Sequence, residues 1–202
     1  MTLYALKPRF QALLRPAAGG LARAGVTANQ VTIAAAVLSV AVGAWVTWRL
    51  PDTRAFLLVP AWLALRMALN ALDGMLAREH GQQSRLGAYL NELADVVSDT
   101  TLVLPFAWLA PFAPAWVGAV IVLAILAEYA GVMGPLAGAT RRYDGPMGKS
   151  DRALVFGALG LWAGLAAPLP PWLAWAMPVI AGLCVVTLVN RVRGGLREGT
   201  PR

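Results

Sequence analysis

Six apolar stretches alternate with short polar segments along most of the chain, and nearly all of them match the length of a membrane-crossing helix. They cover residues 31–50, 55–77, 86–110, 113–137, 153–167 and 172–190. A helix needs about 20 apolar residues to cross the hydrocarbon core, so only the fifth stretch is clearly short. The pattern predicts an all-α integral membrane protein with six transmembrane helices.

The segment before the first apolar stretch mixes apolar residues such as Phe10 and Leu13 with basic residues such as Arg9 and Arg15. This mixture favours an amphipathic helix in residues 1–26 that lies in the membrane interface, with a short basic tail as the alternative. No apolar run followed by a small-residue cleavage site precedes the first span, so we expect no cleaved signal peptide.

Basic residues between the predicted spans indicate the orientation of the protein. One side of the bundle holds Lys7, Arg9, Arg15, Arg23, Arg78, Arg85, Arg141, Arg142, Lys149, Arg152, Arg191, Arg193, Arg197 and Arg202, and the other holds Arg49 and Arg54. Lys and Arg are concentrated in cytoplasmic loops of membrane proteins. We therefore expect a multi-pass protein of the cell (inner) membrane, with both termini and the polar helix ends in the cytoplasm.

Composition agrees with a membrane protein, since 58% of the residues are hydrophobic and 13% are charged. Soluble chains have about 25% charged residues. The net charge of +7 does not point to nucleic acid, because the basic residues lie in short loops beside the membrane. Cys184 is the single cysteine, so no intrachain disulfide forms. We predict one domain, with residues 27–195 as the bundle and 196–202 as a cytoplasmic tail.

Acidic residues interrupt the second and third spans, namely Asp73, Glu92, Asp95 and Asp99. Each charged group at a helix centre costs roughly 2.5–3.5 kcal/mol on insertion scales, so burying all of them unpaired would cost on the order of 10 kcal/mol. A water-filled cavity, basic partners or divalent cations must offset that cost.

Helical spacing places the polar residues of these two spans on two stripes. Asn70 and Asp73 share one face of the second span, and Asn91, Asp95 and Asp99 follow each other at intervals of four on the third. A short loop joins the two helices, so the stripes can face each other and form a cluster of oxygen atoms that suits Mg²⁺. A hydrogen-bonded helix contact is the alternative, but so many intramembrane acids favour a functional site.

The same stretch contains a motif with fixed spacing. It reads Asn70-Ala-Leu-Asp73-Gly74-Met-Leu-Ala77-Arg78, then eight residues, then Gly87-Ala-Tyr-Leu-Asn91-Glu-Leu-Ala-Asp95. This motif resembles D-x2-D-G-x2-A-R-x8-G-x3-D-x3-D of the CDP-alcohol phosphatidyltransferases, with asparagine in place of two aspartates. Residues 27–32 and 148–152 are also similar to segments that open the first and fifth spans in that family.

The resemblance implies transfer of a phosphatidyl-type group from a CDP-alcohol, usually CDP-diacylglycerol, to a hydroxyl acceptor, with release of CMP. By that resemblance Asp73 and Asp95 would hold divalent cations, Mg²⁺ or Mn²⁺, and Asp95 would also be the general base. The CDP-alcohol would be bound by Asn29, Thr32, Gly74, Ala77, Arg78 and Gly87. Family members are commonly homodimers.

The two asparagines change the expected metal chemistry. The side chains of Asn70 and Asn91 are neutral, and each has only one ligating oxygen, so neither bridges two ions as a carboxylate does. Three alternatives follow. The site is a two-ion centre rebuilt with Glu92 or Asp99, or a working one-ion centre, or the remnant of a site in an inactive relative that acts as a membrane partner.

Basic residues near the fifth span are candidates for binding a phosphate group on the acceptor. These are Arg141, Lys149 and Arg152, and the alternative is that they only orient the protein. An anionic alcohol such as a sugar or polyol phosphate fits this charge, although serine or a neutral polyol remains an alternative. We expect Glu128, in the fourth span, to pair with Arg66 across helices or to line the cavity.

A transporter is the main competing class, because intramembrane acids also mark ion pathways. Transporters often have internal repeats or broken helices in matching positions, and the sequence shows neither.

Overall fold

The computed structural model describes residues 7–199, with side chains from residue 10 onward, so parts of the predicted segments 1–26 and 196–202 lie outside the described residues. The helices in this range are α1 (Lys7–Arg23), α2 (Ala28–Arg49), α3 (Leu58–Glu79), α4 (Arg85–Val103), α5 (Pro114–Val132), α6 (Lys149–Ala166) and α7 (Ala176–Glu198). Short 3-10 turns occupy Thr53–Leu57, Leu104–Trp108, Gly134–Ala137 and Pro171–Trp175. No β-strand occurs between residues 7 and 199, which confirms the all-α prediction.

Four helical segments are long and apolar enough to cross a membrane, namely Ala28–Arg49, Thr53–Glu79, Pro114–Val132 and Pro171–Glu198. The helices α4 and α6 do not meet that criterion, because both carry several charged residues. Both nevertheless belong to the bundle, since α4 packs against α2 and α6 packs against α3. Each charged helix therefore packs along one of the apolar helices.

Local sequence signals set several helix ends. A capping box starts α2, in which Thr27 Oγ1 accepts the Gln30 N–H at 3.2 Å. The helix α6 begins at Lys149, before the predicted span at 153–167, because the Asp151 carboxylate accepts the Gly148 N–H at 3.0 Å. The predicted span at 113–137 was too long as a continuous helix, since Pro135 lacks an N–H and the chain turns after Val132.

A cluster of aromatic rings forms the apolar core at one end of the bundle. Phe106 contacts Phe56 and Phe156 edge to face, with ring centroids 4.9 and 5.3 Å apart. Phe56 and Phe106 belong to 3-10 turns that follow or precede the long helices at the end opposite the α3–α4 loop. One end of the bundle is thus filled by apolar side chains, and the polar residues lie toward the other.

The helices α2 and α4 approach each other very closely at Gly43. A Cβ atom there would lie 2.2 Å from the Thr101 carbonyl oxygen, so only glycine fits. This contact fixes α2 along α4 and positions their amino-terminal ends side by side. The helix α1 also packs against α3, where Ala18 contacts Leu72 and Met75.

Candidate active site

The motif residues of α3 meet the start of α2 at Asp73. Thr32 Oγ1 lies 2.8 Å from Asp73 Oδ2 and 3.1 Å from the Ala28 carbonyl oxygen, so its one proton is donated to one of these two acceptors. Asp73 is buried, and the charges of Asp95 and Lys149 lie within Coulombic reach of its carboxylate. The structure therefore brings Thr32 of α2 and Asp73 of α3 into direct contact, with Asp95 of α4 within electrostatic range.

Two motif glycines allow close contacts at the same place. A Cβ on Gly87 would lie 2.8 Å from Asn29 Oδ1, so the start of α4 packs directly against the start of α2. A Cβ on Gly74 would lie 2.7 Å from Nη2 of Arg78, whose guanidinium folds back along α3. Ala77 is partly buried at the α2–α3 contact. The six residues expected to bind the CDP-alcohol thus lie around the junction of α2, α3 and α4.

The carboxylate of Asp95 is held by two cations. Its Oδ1 atom lies 2.5 Å from Lys149 Nζ of α6 and 3.1 Å from Arg66 Nη2 of α3. Arg66 Nη2 also donates to the Asp95 carbonyl oxygen at 3.2 Å. The side chain of Asp95 is 18% exposed, so it sits at the edge of the protein interior with one oxygen fixed.

Asp99 has different surroundings, although it lies one helical turn beyond Asp95. Its Oδ1 accepts from Arg66 Nη1, and its Oδ2 accepts from Arg152 Nη2 at 3.0 Å. Arg152 also donates to Glu128 at 3.0 Å, and Glu128 accepts from Arg191 at 3.0 Å. The result is a chain of alternating charges that reads Lys149, Asp95, Arg66, Asp99, Arg152, Glu128 and Arg191.

This chain of alternating charges corrects one sequence prediction. It also adds Arg66, which we had not assigned to the site. Glu128 is paired as expected, but its partners are Arg152 and Arg191, because Arg66 is already engaged by Asp95 and Asp99. The sequence signal for Arg66 was an arginine within an apolar span, four residues before Asn70 and therefore on the same helix face.

Glu92 is also occupied by an arginine. Its Oε2 accepts from Arg141 Nη2 at 2.8 Å, and its Oε1 accepts from Arg141 Nη1, so the pair is bidentate. Both side chains are about 30% exposed, which places this pair nearer to solvent than the pairs of Arg66. The Arg141 guanidinium also lies 5.0 Å from the centre of the Tyr143 ring.

The oxygen ligands that remain suit one hard cation. The described residues contain no group of three or more His, Cys, Asp or Glu side chains that could hold a metal ion. Two carboxylates, Asp73 and Asp95, lie near each other, and the amides of Asn70 and Asn91 are half-buried on the same two helices. Mg²⁺ is commonly bound by one or two carboxylates together with substrate phosphates and water, so this donor set fits a single ion.

A second polar region lies at the end of α7, away from the residues of α3 and α4. Arg142, Asp144, Asn190, Arg193, Gly194, Arg197 and Glu198 line a shallow cavity of about 600 Å³. The Arg142 guanidinium donates to the Asp144 carboxylate at 2.8 Å and lowers the pKa of that carboxyl below its usual value. No residue of the motif lines this cavity. We therefore do not assign the transfer site to it, despite its volume.

Comparison with known proteins agrees with this geometry. Residues 25–189 match the family model of the CDP-alcohol phosphatidyltransferases. The chain therefore belongs to the CDP-alcohol phosphatidyltransferase family.

Two relatives are similar to this chain along most of its length. Over 97% of both chains, the sequence is 45% identical to the inner membrane protein YnbA of Escherichia coli. It is 32% identical to the phosphatidylinositol phosphate synthase of Mycolicibacterium smegmatis, over 89% of this chain and 82% of the relative.

Solved structures of the Mycobacterium tuberculosis phosphatidylinositol phosphate synthase are similar as well. The structure with CDP-DAG bound matches with a TM-score of 0.72 and 26% identity, covering 89% of this chain and 92% of that chain. The complex with manganese and citrate matches with a TM-score of 0.71 and 26% identity, covering 91% of this chain and 88% of that chain. The resemblance inferred from the motif is thereby confirmed for the whole bundle.

Proposed function

We propose that this chain transfers a phosphatidyl-type group from a CDP-alcohol such as CDP-diacylglycerol to a hydroxyl acceptor, with release of CMP. The observation that carries the proposal is the contact of Thr32 with Asp73 at the junction of α2 and α3, with Asp95 of α4 within electrostatic range and the close contacts of Gly74 and Gly87 beside it. A related synthase binds CDP-DAG, which supports a CDP-linked lipid as the donor.

The reaction requires one bond to form and one to break at phosphorus. The acceptor hydroxyl oxygen attacks the phosphorus that bears the lipid alcohol, and the bond from that phosphorus to the oxygen shared with CMP breaks. The hydroxyl proton passes to Asp95, which acts as general base. Arg78 would contact the diphosphate and stabilise the negative charge that grows on CMP as it leaves.

We propose that one divalent cation serves this site, held by Asp73 and Asp95 with help from Asn70 and Asn91. Bound Mg²⁺ or Mn²⁺ would neutralise charge on the diphosphate. Recruiting Asp99 for a second ion would break its pairs with two buried arginines, and breaking a buried pair costs about 3–5 kcal/mol, while Glu92 is already engaged by Arg141. The manganese in a related synthase supports a divalent cation in this chain.

The acceptor side of the site is proposed around Lys149 and Arg141. Both side chains are about one-third exposed, and Lys149 touches the proposed base. Arg152 was a third candidate, but its side chain is 4% exposed and is shared between Asp99 and Glu128, which favours a structural role. Two accessible cations favour an anionic alcohol, such as a sugar or polyol phosphate, as the acceptor.

The proposed membrane arrangement has six spans, formed by α2 to α7 with their flanking 3-10 turns. The charged helices α4 and α6 are included because they pack within the bundle. The helix α1 would lie in the interface, and both termini and the transfer site would be cytoplasmic by the distribution of basic residues. The inner-membrane relative YnbA supports this location. We retain the single domain of residues 1–202 and the homodimer as predictions.

The direct test is CMP release by the purified protein with CDP-diacylglycerol, Mg²⁺ or Mn²⁺, and a panel of alcohols. The panel should contain matched pairs, such as a polyol and its phosphate. We expect metal-dependent CMP release that is faster with the phosphorylated member of a pair. No CMP release with any acceptor, together with no metal-dependent binding of the CDP-lipid, would contradict the proposal and favour a non-catalytic membrane partner.

A further inference from the structure

Arg66 is a buried cation that contacts Asp95 of the transfer site from the interior of the bundle. Its side chain is 4% exposed, and it lies on the same face of α3 as Asn70 and Asp73, at helical intervals of four and three. Because a guanidinium does not lose its proton in proteins, this position carries a permanent positive charge.

The two ends of the guanidinium bind two carboxylates that are one helical turn apart on α4. Nη2 donates to Asp95 Oδ1 at 3.1 Å, and Nη1 donates to Asp99 Oδ1. Asp99 is fixed in turn by Arg152 at 3.0 Å. Arg66 therefore cannot turn away from Asp95 without breaking its pair with Asp99.

This arrangement treats the two oxygens of Asp95 differently. Among the described residues, the cationic contacts to the Asp95 side chain, from Arg66 and Lys149, both fall on Oδ1. Oδ2 is the oxygen that remains for an acceptor proton or a metal ion. Because Oδ1 is anchored, Oδ2 of the base has a fixed position relative to the acceptor. A misplacement of about 1 Å at a reacting group costs about 100-fold in rate.

Charge balance at the site points the same way. Asp73 and Asp95 carry two negative charges, and Lys149 and Arg66 already lie against Asp95, so these carboxylates leave no negative charge to balance a second divalent cation. A second divalent cation beside Asp95 would lie close to the fixed guanidinium, and like charges at such short range repel each other strongly.

We propose that Arg66 is a positioning residue of the transfer site: it anchors Asp95 through Oδ1, leaves Oδ2 for the metal ion and the acceptor proton, and limits the site to one divalent cation. This inference rests on the proposed function for its kinetic part. Its metal-binding part is measured separately, by titrating metal-free protein with Mn²⁺ and following the free ion by electron paramagnetic resonance.

The test compares Arg66→Met with the wild-type protein. Removal of the anchor should lower kcat for CMP release about 100-fold with little change in KM for the CDP-lipid. Removal of the fixed charge should at the same time tighten Mn²⁺ binding by about threefold or more. The proposal therefore predicts slower turnover together with tighter Mn²⁺ binding. Simple loss of structure would instead lower both the turnover and the Mn²⁺ affinity.

The matched control is Arg191→Met, at the far end of the same chain of charges. Arg191 is equally buried and loses the same charge, but it contacts Glu128 and not Asp95. This variant should lose stability while binding Mn²⁺ with wild-type affinity. Tighter Mn²⁺ binding in Arg191→Met as well would show a non-specific effect of buried charge and would overturn the proposal.

A second variant keeps the positive charge but removes the two-ended guanidinium group. The ammonium of Arg66→Lys lacks the two fixed ends of the guanidinium and holds Asp95 less rigidly, so kcat should fall about tenfold while the Mn²⁺ affinity stays close to the wild-type value. This variant decides the question if Arg66→Met does not fold, and wild-type turnover in Arg66→Lys would overturn the proposal.

Two results for Arg66→Met would also overturn it, namely unchanged kcat with unchanged Mn²⁺ affinity, and reduced kcat with weaker Mn²⁺ binding. If the wild-type protein releases no CMP, the proposed function fails, but the Mn²⁺ comparison still decides whether Arg66 controls the ion site.

Discussion

Asp95 and Asp99 lie one helical turn apart on α4 and share Arg66 as a partner. Asp95 keeps one carboxylate oxygen outside these pairs among the described residues, whereas Asp99 has both oxygens bound by arginines. The same residue type is therefore placed for chemistry at one position and for structure at the next. Asp95 is the last aspartate of the motif and Asp99 lies beyond it, and the neighbouring cations of the two carboxylates differ accordingly.

Asp99→Asn tests the structural role at this scale. The substitution leaves Arg66 and Arg152 with less compensating charge in a buried place, and breaking such a pair costs about 3–5 kcal/mol of stability. We expect a clearly lower thermal unfolding midpoint in detergent. The control is Asp52→Asn, which removes an exposed pair with Arg49 and should leave the midpoint nearly unchanged. Equal midpoints for the two variants would contradict the structural role of Asp99.

Helical spacing alone predicts that Asn70 and Asp73 share one face of α3 and that Asn91 and Asp95 share one face of α4. The partners of Asp99 were not predictable, because an arginine side chain reaches several helices and the sequence does not specify which carboxylate it chooses. Arg152 illustrates this limit, since a basic residue at a span end looks like an orientation signal until its burial is known.

At the scale of helices, the site depends on how closely α2 approaches α4. Thr32 belongs to α2 and binds Asp73, and Asn29 packs against Gly87 of α4, so a shift of α2 would disturb both contacts. Gly43 permits this approach, since the Thr101 carbonyl oxygen lies where its side chain would be. The sequence predicted the helices but gave no sign of this contact between them.

Gly43→Ala tests the close approach. The added methyl group would lie 2.2 Å from the Thr101 carbonyl oxygen, so the helices must separate. Overpacking of this kind costs about 1–3 kcal/mol, and we expect a lower unfolding midpoint in detergent.

The matched control for this substitution is Gly118→Ala in α5, where an added Cβ meets no atom within 4 Å. That variant should be neutral or more stable by up to about 1 kcal/mol, because alanine favours the helix. Similar losses in both variants would mean that the α2–α4 contact is not tight.

At the scale of the whole molecule, the apolar core and the polar site lie toward opposite ends of the bundle. Aromatic packing around Phe106 fills one end, while the carboxylates, the arginines and the motif glycines lie toward the other. The basic loops lie on the polar end as well, so the proposed orientation places the transfer site where a water-soluble acceptor meets a lipid donor.

Thiol labelling tests this orientation. In a Cys184→Ala background, Gln83→Cys places a thiol in the α3–α4 loop and Ala110→Cys places one at the opposite end, at exposed positions. In right-side-out membrane vesicles, an impermeant thiol reagent should label position 110 at once and position 83 only after permeabilisation. Labelling in the reverse order would contradict cytoplasmic placement of the site.

The most direct test of the account is CMP release by Asp95→Asn with CDP-diacylglycerol and Mn²⁺, compared with the wild-type protein under the same conditions. If Asp95 accepts the acceptor proton, kcat should fall by about 100-fold to 10,000-fold, the range that general-base catalysis supplies. The variant should still be folded, as judged by its unfolding midpoint. Wild-type turnover in folded Asp95→Asn would contradict the assignment of the base and the site built around it.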